Sequence, residues 1–274
     1  MPDLHVRTYE VRPGLGRHQV LDPRSLAYRR PYAGEPIRAT AWEPRIPVLD
    51  QQRLLAQGIR TSELFEGVED VDALGSCTGN AGTALLSILL TKAEAEQAGL
   101  DTSSAKVAEE FAIRLYADAT AADEWMDYTW PAQDCGSSGL GVAKTLHRRG
   151  LIDQYGHATT AEELCRDLQT GPVLMGLPWR DAFFQPDRNG FIDHDPDWAT
   201  SADAGGHEVC IVALEDVALD ETGRLMPEHT VLRFANSWSN SWGDGGHGRM
   251  YLTAYLALRP EIDLCQPRRD RNRT

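Results

Sequence analysis

The sequence predicts an α+β protein of two lobes, because helical and strand-like patterns separate along the chain. From Cys77 to about residue 97, apolar side chains such as Ala81, Leu85 and Ile88 recur on one helical face. Strand-like apolar runs dominate the second half, at 172–177, 208–214, 230–235 and 249–252. The 274 residues, of which 42% are hydrophobic, suffice to bury a core. Helices followed by strands favour the α+β class.

Three further helices are predicted, near 103–119, 140–149 and 161–168, and Gly150 ends the second of them. Residues 1–45 lack such periodicity, since prolines and glycines interrupt every run. This segment holds eight arginines and five acidic residues, a local net charge of +3. We interpret it as an extended N-terminal arm. Three roles stay open for the arm: a clamp across the body, an inhibitory pro-segment, or a docking element for a partner protein.

The overall charge and the cysteines limit the partners and the compartment. A formal net charge of −14 argues against nucleic acid, because phosphate binding needs a basic surface. The five cysteines are scattered without zinc-ligand spacing, which favours reduced thiols. Residues 1–14 lack the apolar core of a secretory signal, and no apolar run reaches about 18 residues. We therefore expect a cytoplasmic location, no membrane partner, no metal and no cofactor.

The first candidate catalytic residue is Cys77, in the run Gly75-Ser76-Cys77-Thr78 at the start of the predicted helix. Unpaired backbone N–H groups and the helix dipole favour a thiolate there, and the thiolate is the nucleophile. The same N–H groups can face a developing oxyanion, and Ser76 is a supporting residue at this position. A lone cysteine before an apolar helix is more commonly buried and inert, so Cys77 needs partners.

The second candidate is His207, in the run Gly205-Gly206-His207-Glu208 that opens an apolar strand. A cysteine nucleophile needs a base within hydrogen-bonding reach, and an imidazole is suited to that task. Two glycines before the histidine allow another backbone to approach closely. A structural histidine at a strand end is the competing interpretation.

The third candidate is Asn236, where a predicted strand ends in Asn236-Ser237-Trp238 and a glycine-rich turn follows. The amide oxygen of an asparagine can accept the imidazole N–H and fix its tautomer, which leaves the other ring nitrogen for the thiol. A tryptophan over that hydrogen bond, Trp238, would exclude water. The alternative is an ordinary turn with tryptophans in the core.

The three motifs together resemble the papain-like cysteine peptidases, in their divergent bacterial and viral members. His207 follows Cys77 by 130 residues and Asn236 follows by 29 more, in the order and spacing typical of that family. The resemblance covers about residues 46–257. It implies a two-lobed fold with a helical N-terminal lobe, an antiparallel sheet or barrel in the C-terminal lobe, and a cleft between them. It also implies a Cys77–His207–Asn236 triad that hydrolyses peptide bonds through an acyl-thioester.

The resemblance further implies which residues bind substrate. The run Gly136-Ser137-Ser138 is similar to the glycine-rich strand that lines the cleft and binds the substrate backbone. Gly206, in the run that is similar to the family's histidine motif, is also expected to bind substrate. The expected ligand is a peptide or protein substrate. The acidic stretches near Cys77 and at 187–203 favour cationic peptides.

One departure from the family bears on activity. The family places an oxyanion-hole glutamine six residues before the cysteine, where this chain has Val71; the nearest upstream glutamine is Gln57. A missing oxyanion donor reduces kcat by about 10²–10³. Two alternatives to an active peptidase therefore stay open. One is a catalytically weak domain that binds or assembles, such as a virion component with the arm docked on a neighbour, and the other is an acyl-transferase on the same fold.

The predicted organisation is thus an arm or pro-segment at 1–45, a papain-like catalytic domain at 46–257, and a basic C-terminal tail at 258–274. The tail ends in an arginine-rich run that begins at Arg268. The resemblance accounts for neither the arm nor the tail.

Overall fold

The computed structural model describes residues 4–269, which form a helical lobe packed against an antiparallel sheet. The α-helices are α1 (Thr61–Leu64), α2 (Cys77–Leu89), α3 (Lys92–Gln97), α4 (Ala105–Ala122), α5 (Gly139–Arg148), α6 (Ala161–Leu168) and α7 (Leu252–Leu258). Short 3₁₀ helices occupy Pro23–Tyr28, Leu55–Gln57, Asp181–Phe184, Trp198–Thr200, Pro227–His229 and Arg259–Glu261. The predicted helices correspond to α2, α4, α5 and α6.

The strands are β1 (His5–Arg7), β2 (Gln19–Leu21), β3 (Thr40–Ala41), β4 (Gln154–Gly156), β5 (Val173–Arg180), β6 (Asp203–Asp216), β7 (Val231–Ala235), β8 (His247–Tyr251) and β9 (Asp263–Arg268). Four of these, β5 to β8, are the predicted strands. The predicted α+β class, with a helical part followed by a strand-rich part, is confirmed.

The large sheet is antiparallel, and its strand order is β4-β9-β5-β6-β7-β8, with β3 added to the far part of β6. Strands β4 and β8 stand at opposite edges, so over residues 4–269 the sheet is open. The resemblance had left a sheet or a barrel as alternatives, and the open sheet is the one observed. Strand β6 is the longest, with 14 residues, and it lies against α2.

Helix α2 is central to the helical lobe. All of its residues from Cys77 to Ile88 are buried, as expected for a helix enclosed on every side. A Cβ at Gly79 would stand 2.2 Å from the backbone oxygen of Ala112 in α4, so only glycine allows this approach. The small residues near Cys77 therefore let α4 pack directly against the first turn of α2.

The C-terminal boundary differs from the prediction. Residues from 258 on were expected to form a basic tail, but β9 lies inside the sheet, between β4 and β5. Its consecutive residues Leu264 and Cys265 are both buried, in two different apolar clusters, as expected for a strand covered on both faces. The remaining part of the predicted tail, residues 270–274, lies outside the described residues, as do residues 1–3 of the arm.

The described part of the arm crosses the molecule instead of leaving it. Strands β1 and β2 pair as a small antiparallel ladder, and β3 pairs with β6. Between β1 and β2, residues 12–18 run through the interface between the two lobes. Across residues 4–269, no helix is long and apolar enough to span a membrane.

Candidate active site

Cys77 is the first residue of α2 and is fully buried. Ser76 stands at the N-cap position, but its hydroxyl donates to Asn80 Oδ1 at 2.9 Å and does not cap the helix. The first N–H groups of α2 therefore keep no side-chain acceptor from Ser76. This is the arrangement that favours a negative charge on the Cys77 sulfur or on a substrate oxygen beside it.

A buried hydrogen-bond chain continues from Ser76 and fixes the start of the helix. Asn80 Nδ2 donates to the Glu109 carboxylate on α4, and that carboxylate also accepts the backbone N–H of Asp50 at 2.9 Å. Burial raises the pKa of Glu109 to about 7. The chain joins α2, α4 and the segment at Asp50 into one unit beside the cysteine.

His207 lies on β6, opposite Leu177 of β5, and it is also fully buried. Its Nε2 is 2.7 Å from Asn236 Oδ1, just after the end of β7. The same Oδ1 accepts the backbone N–H of Ser237 at 2.8 Å, so the amide is oriented with its oxygen toward the ring. Nε2 must therefore carry the proton, which leaves Nδ1 as the basic nitrogen.

Aromatic rings enclose this hydrogen bond. Trp238 stacks on His207 with a centroid distance of 4.6 Å, and Trp179 meets the imidazole edge-on at 4.7 Å. Phe184 in turn stacks on Trp238 at 5.3 Å. Trp238 was predicted in this role. Trp179 and Phe184 were missed, because nothing in the local sequence distinguishes them from core aromatics.

Cys77 lies beside the strand that carries His207. Burial has the larger effect on the pKa of its thiol and raises it, while the backbone of Gly16 in the arm and the backbone of Glu208, the residue after His207, are close enough to lower it. Cys77 at the start of α2 thus lies beside β6, and His207 on β6 contacts Asn236 in the turn after β7; within the described residues His207 Nδ1 has no hydrogen-bond partner. Over the described ranges, no group of three or more His, Cys, Asp or Glu side chains is placed to hold a metal ion.

The arm occupies the cleft between the two walls. On the helical side, Gly14 N–H donates to Leu74 O at 3.2 Å, and Ser137 N–H donates to Gly16 O at 2.8 Å. On the sheet side, Arg17 N–H donates to Gly206 O at 3.1 Å. A Cβ added at Gly16 would stand 1.8 Å from the oxygen of Gly75, so the arm fits here only without a side chain at this position.

Burial shifts Cys77 and His207 toward their neutral forms, although the arm backbone at Gly16 and at Gly14 acts in the opposite direction on each. Burial raises the pKa of the Cys77 thiol to about 12 and lowers the pKa of His207 to about 4. Trp238 Nε1 donates to Gly14 O at 3.3 Å, so the arm also engages the tryptophan that shields the histidine. With the arm in place, a thiolate–imidazolium pair is disfavoured.

Of the four predicted substrate-binding residues, three face the arm in the cleft and one does not. The backbone N–H and oxygen of Ser137 both face the arm, and Gly136 adopts a φ of +72° against Gly16 O. Gly206 lies on the sheet side of the cleft, where its oxygen accepts the N–H of Arg17. The Ser138 hydroxyl instead donates to Asp123 at 2.7 Å and accepts Gly141 N–H as the cap of α5. Ser138 therefore supports the wall from behind.

Val71 stands at the sequence position expected for the oxyanion-hole glutamine, but a different residue, Gln51, contacts the segment before Cys77 in the structure. The N–H of Leu74 donates to the oxygen of Gln51 at 3.1 Å, so residues 52–73, which include α1, form an excursion that returns to its starting point. Val71 packs in the excursion, against a separate apolar cluster. Gln51 is fully buried; its Nε2 donates to Leu74 O at 3.1 Å, and its Oε1 accepts the Ser237 hydroxyl at 2.7 Å.

Gln51 was missed because the spacing rule counted residues through the excursion. The acidic stretch at 63–72 was a usable signal, since an inserted loop there brings an earlier glutamine next to the cysteine motif. The side chain of Gln51 now bridges the segment before Cys77 and the residue after Asn236.

Comparison with known proteins agrees with this architecture. Xylellain, a cysteine protease from Xylella fastidiosa, superposes with a TM-score of 0.59 over 97% of this chain and 98% of its own, at 17% identity. Procathepsin L2 from the larval midgut of Tenebrio molitor has a TM-score of 0.49 at 16% identity, over 86% of this chain and 69% of its own. Bromelain from Ananas comosus has a TM-score of 0.46 at 12% identity, over 82% and 95%.

No family model matches the sequence, and no curated protein matches it either. The likeness is therefore one of structure, and it extends over nearly the whole of both chains in the xylellain comparison. It confirms the resemblance predicted from the motifs at the level of the fold: the chain has the fold of the papain-like cysteine proteases.

Proposed function

We propose that the protein is a cysteine peptidase that hydrolyses peptide bonds with Cys77 as nucleophile, His207 as base and Asn236 as the residue that orients the base. The observation that carries the proposal is the 2.7 Å contact between His207 Nε2 and Asn236 Oδ1. It holds the ring in the tautomer whose Nδ1 can take a proton from a thiol on the neighbouring helix terminus.

The proposed reaction has two stages. His207 Nδ1 takes the proton of the Cys77 thiol, and the thiolate attacks the peptide carbonyl, so that a C–S bond forms and the carbonyl oxygen becomes an oxyanion. Collapse of this intermediate breaks the C–N bond, and the imidazolium gives its proton to the leaving amine. His207 then deprotonates a water, which attacks the thioester, and the C–S bond breaks as Cys77 regains its proton.

We assign oxyanion stabilisation to the backbone N–H of Cys77 and to Gln51. The Nε2 of Gln51 uses one hydrogen for Leu74 O and keeps the second. Its hydrogen bond with the Ser237 hydroxyl holds the amide in one orientation. A fixed donor of this kind is worth about 10²–10³ in kcat. With this assignment, the proposed oxyanion hole does not depend on the residue at position 71.

Among the roles left open for the arm, we favour inhibition. Residues Gly14 to Arg17 pair with both walls of the cleft, and the Gly16 backbone contacts the nucleophile itself. A substrate needs the same positions, so the arm has to move before hydrolysis. The proposed peptide or protein substrate therefore competes with a segment of the same chain.

The test is intact mass after treatment with an epoxysuccinyl thiol-peptidase inhibitor, on the wild type and on a Gly16→Ala variant that displaces the arm. We expect a single adduct, lost in Cys77→Ala and greatly slowed in His207→Ala. The matched control is Cys135→Ala, because Cys135 is also a buried, free cysteine and should be dispensable for labelling.

A competing function is a catalytically weak domain that binds or assembles through the cleft, and the arm that fills the cleft is the observation in its favour. Absence of an adduct on folded, reduced Gly16→Ala protein would support this alternative. An adduct that persists in Cys77→Ala would also contradict the peptidase proposal, because another thiol would then be the reactive one.

A further inference from the structure

The side chain of Arg17 is held in a buried acidic pocket next to the catalytic strand. Arg17 is fully buried, and its guanidinium pairs with Asp263 of β9 and donates to the backbone oxygen of Glu261 at 2.9 Å. Glu208 of β6 is the second acidic residue of the pocket, and burial favours its protonated form. The guanidinium and the two acidic side chains are all buried inside the cleft wall.

Gly176 of β5 makes the space for this side chain. A Cβ at Gly176 would stand 2.3 Å from Arg17 Nε, 2.7 Å from Asp263 Oδ1 and 2.8 Å from Glu208 Oε2. The absence of a side chain at this position therefore leaves room for the guanidinium to pair with Asp263 and to lie beside Glu208. We call the site formed by Gly176, Glu208 and Asp263 the acidic pocket.

Glu208 has unused hydrogen-bonding capacity. Within the described chain, neither of its carboxylate oxygens has a hydrogen-bond partner, although the residue is only 1% exposed. Arg17 Nε and Nη1 are also unpartnered. A buried acid without partners is unfavourable to the fold alone, which points to a ligand that satisfies it. Burial and the nearby Asp263 carboxylate raise the pKa of Glu208 well above its usual range.

Backbone pairing decides which side chain enters the acidic pocket. Arg17 N–H bonds to Gly206 O, while the neighbouring Gly16 O and His18 N–H bond to the N–H and oxygen of Ser137 at 2.8 Å each. The backbone groups of Gly206 and Ser137 lie at the two edges of the cleft, and they become available to another extended segment when the arm leaves. An extended peptide that replaces the arm and uses the same edges will direct one side chain into the same pocket.

We propose that the acidic pocket is the specificity site of the enzyme and that it selects substrates with an arginine side chain, which Arg17 imitates in the arm-bound state. This inference rests on the proposed peptidase function. In the arm-bound state the guanidinium pairs with Asp263 and leaves Nε and Nη1 without partners, so an arginine side chain on a separate peptide has donors left for Glu208. An apolar side chain would leave both acids buried without a partner.

The first measurement is cleavage-site profiling of a peptide library with Arg17→Ala protein, in which the pocket is vacated. We expect arginine to be strongly enriched at one position relative to the scissile bond. Matched peptides with citrulline, the neutral isostere, should have kcat/KM values lower by about tenfold or more, because hydrogen bonds to charged groups are lost. If Arg17→Ala does not fold, Gly16→Ala keeps Arg17 and serves in the same assay.

The acidic residues are then tested directly. Glu208→Gln and Asp263→Asn should reduce the preference for arginine over citrulline, whereas Glu221→Gln, an exposed acid on a distant turn, should leave it unchanged. Equal kcat/KM values for the arginine and citrulline peptides would overturn the inference while leaving the peptidase proposal intact.

A binding measurement separates the two proposals. Cys77→Ala/Arg17→Ala protein is titrated with a free peptide of the sequence of residues 14–18, and with the same peptide carrying citrulline for arginine. Selective stabilisation by the arginine peptide in a thermal melt would support the acidic pocket even if no variant hydrolyses any peptide. Equal stabilisation by both peptides, or by neither, would contradict it.

Discussion

Two hydrogen bonds fix the amide of Asn236, one from His207 Nε2 and one from the N–H of Ser237. The next hydroxyl along the chain, that of Ser237, holds Gln51. The short run after β7 therefore orients both the proposed base and the proposed oxyanion donor. Trp238 completes it by stacking on the imidazole. A single turn thus organises most of the polar groups in the site.

Replacement of Gln51 tests its role as oxyanion donor. Gln51→Ala should lower kcat by about 10²–10³ with little change in KM, because the amide acts on charge that develops in the transition state. Val71→Ala is the control, and its kcat should match the wild type. Peptide hydrolysis by both variants is measured in the Gly16→Ala background. A normal kcat in Gln51→Ala would remove this assignment.

The protonation of His207 should appear in the pH dependence of folding stability. Its pKa is about 4 in the folded chain against an ordinary value of 6.5, so between these values the unfolded chain binds the extra proton. The free energy of unfolding is therefore insensitive to this group above pH 6.5. It decreases by about 3 kcal/mol as the pH drops to about 4.

Urea unfolding of the wild type and of His207→Gln from pH 7 to pH 4 measures this contribution. The wild type should lose more stability over that range than the variant does, since other titrating groups contribute equally to both. His229→Gln, at an exposed position, should follow the wild-type curve. Parallel curves for wild type and His207→Gln would mean that the imidazole is not held neutral.

The arm is the element on which access to the site depends. It is anchored on the helical side by Ser137 and on the sheet side by Gly206, and its Gly14 engages Trp238. Its glycines allow this passage, since a Cβ at Gly16 would overlap the backbone of Gly75. The close fit at Gly16 and the ion pair of Arg17 with Asp263 therefore both hold the arm in the cleft.

Gly16→Ala should open the cleft without altering the body of the protein. The rate of Cys77 labelling by the epoxysuccinyl reagent should rise by about tenfold, which corresponds to about 1.4 kcal/mol of lost arm binding. Leu26→Ala is the control, because Leu26 lies in the arm but is 55% exposed. An unchanged labelling rate in Gly16→Ala would show that the arm does not limit access.

The whole molecule is held together by segments that are remote in sequence. Strand β9 lies between β4 and β5, and the Asp263 at its start pairs with Arg17, 246 residues earlier. The arm and the C-terminal strand thus meet in one charged contact beside the active site. Strand β9, which lies within the predicted basic tail, is therefore part of the sheet.

Truncation distinguishes a tail from a structural strand. A chain that ends at residue 257 loses β9, exposes the edges of β4 and β5, and leaves Arg17 buried without its acid. We expect it to lack a cooperative thermal transition. A chain that ends at Arg269 keeps β9 and should unfold like the full-length protein. Normal unfolding of the shorter chain would restore the boundary that the sequence predicts.

Local patterns were sufficient for much of this architecture. Helices α2, α4, α5 and α6 and strands β5 to β8 follow from apolar periodicity and from glycine and proline positions, because each signal lies within a few residues. Cys77, His207 and Asn236 follow from their motifs and their order. Such features are encoded at short range, and the resemblance to a family added the spacing.

The remaining features depend on contacts between distant residues, which periodicity does not encode. Gln51 reaches the site because residues 52–73 leave the body and return at Leu74. Strand β9 is evident only from its pairing with β4 and β5, because the arginine-rich sequence around it gives no strand signal. The acidic pocket forms only when Arg17, Gly176, Glu208 and Asp263 meet. The motifs specified the proposed chemistry, and the packing of the arm and the last strand placed the groups that we propose control access and selectivity.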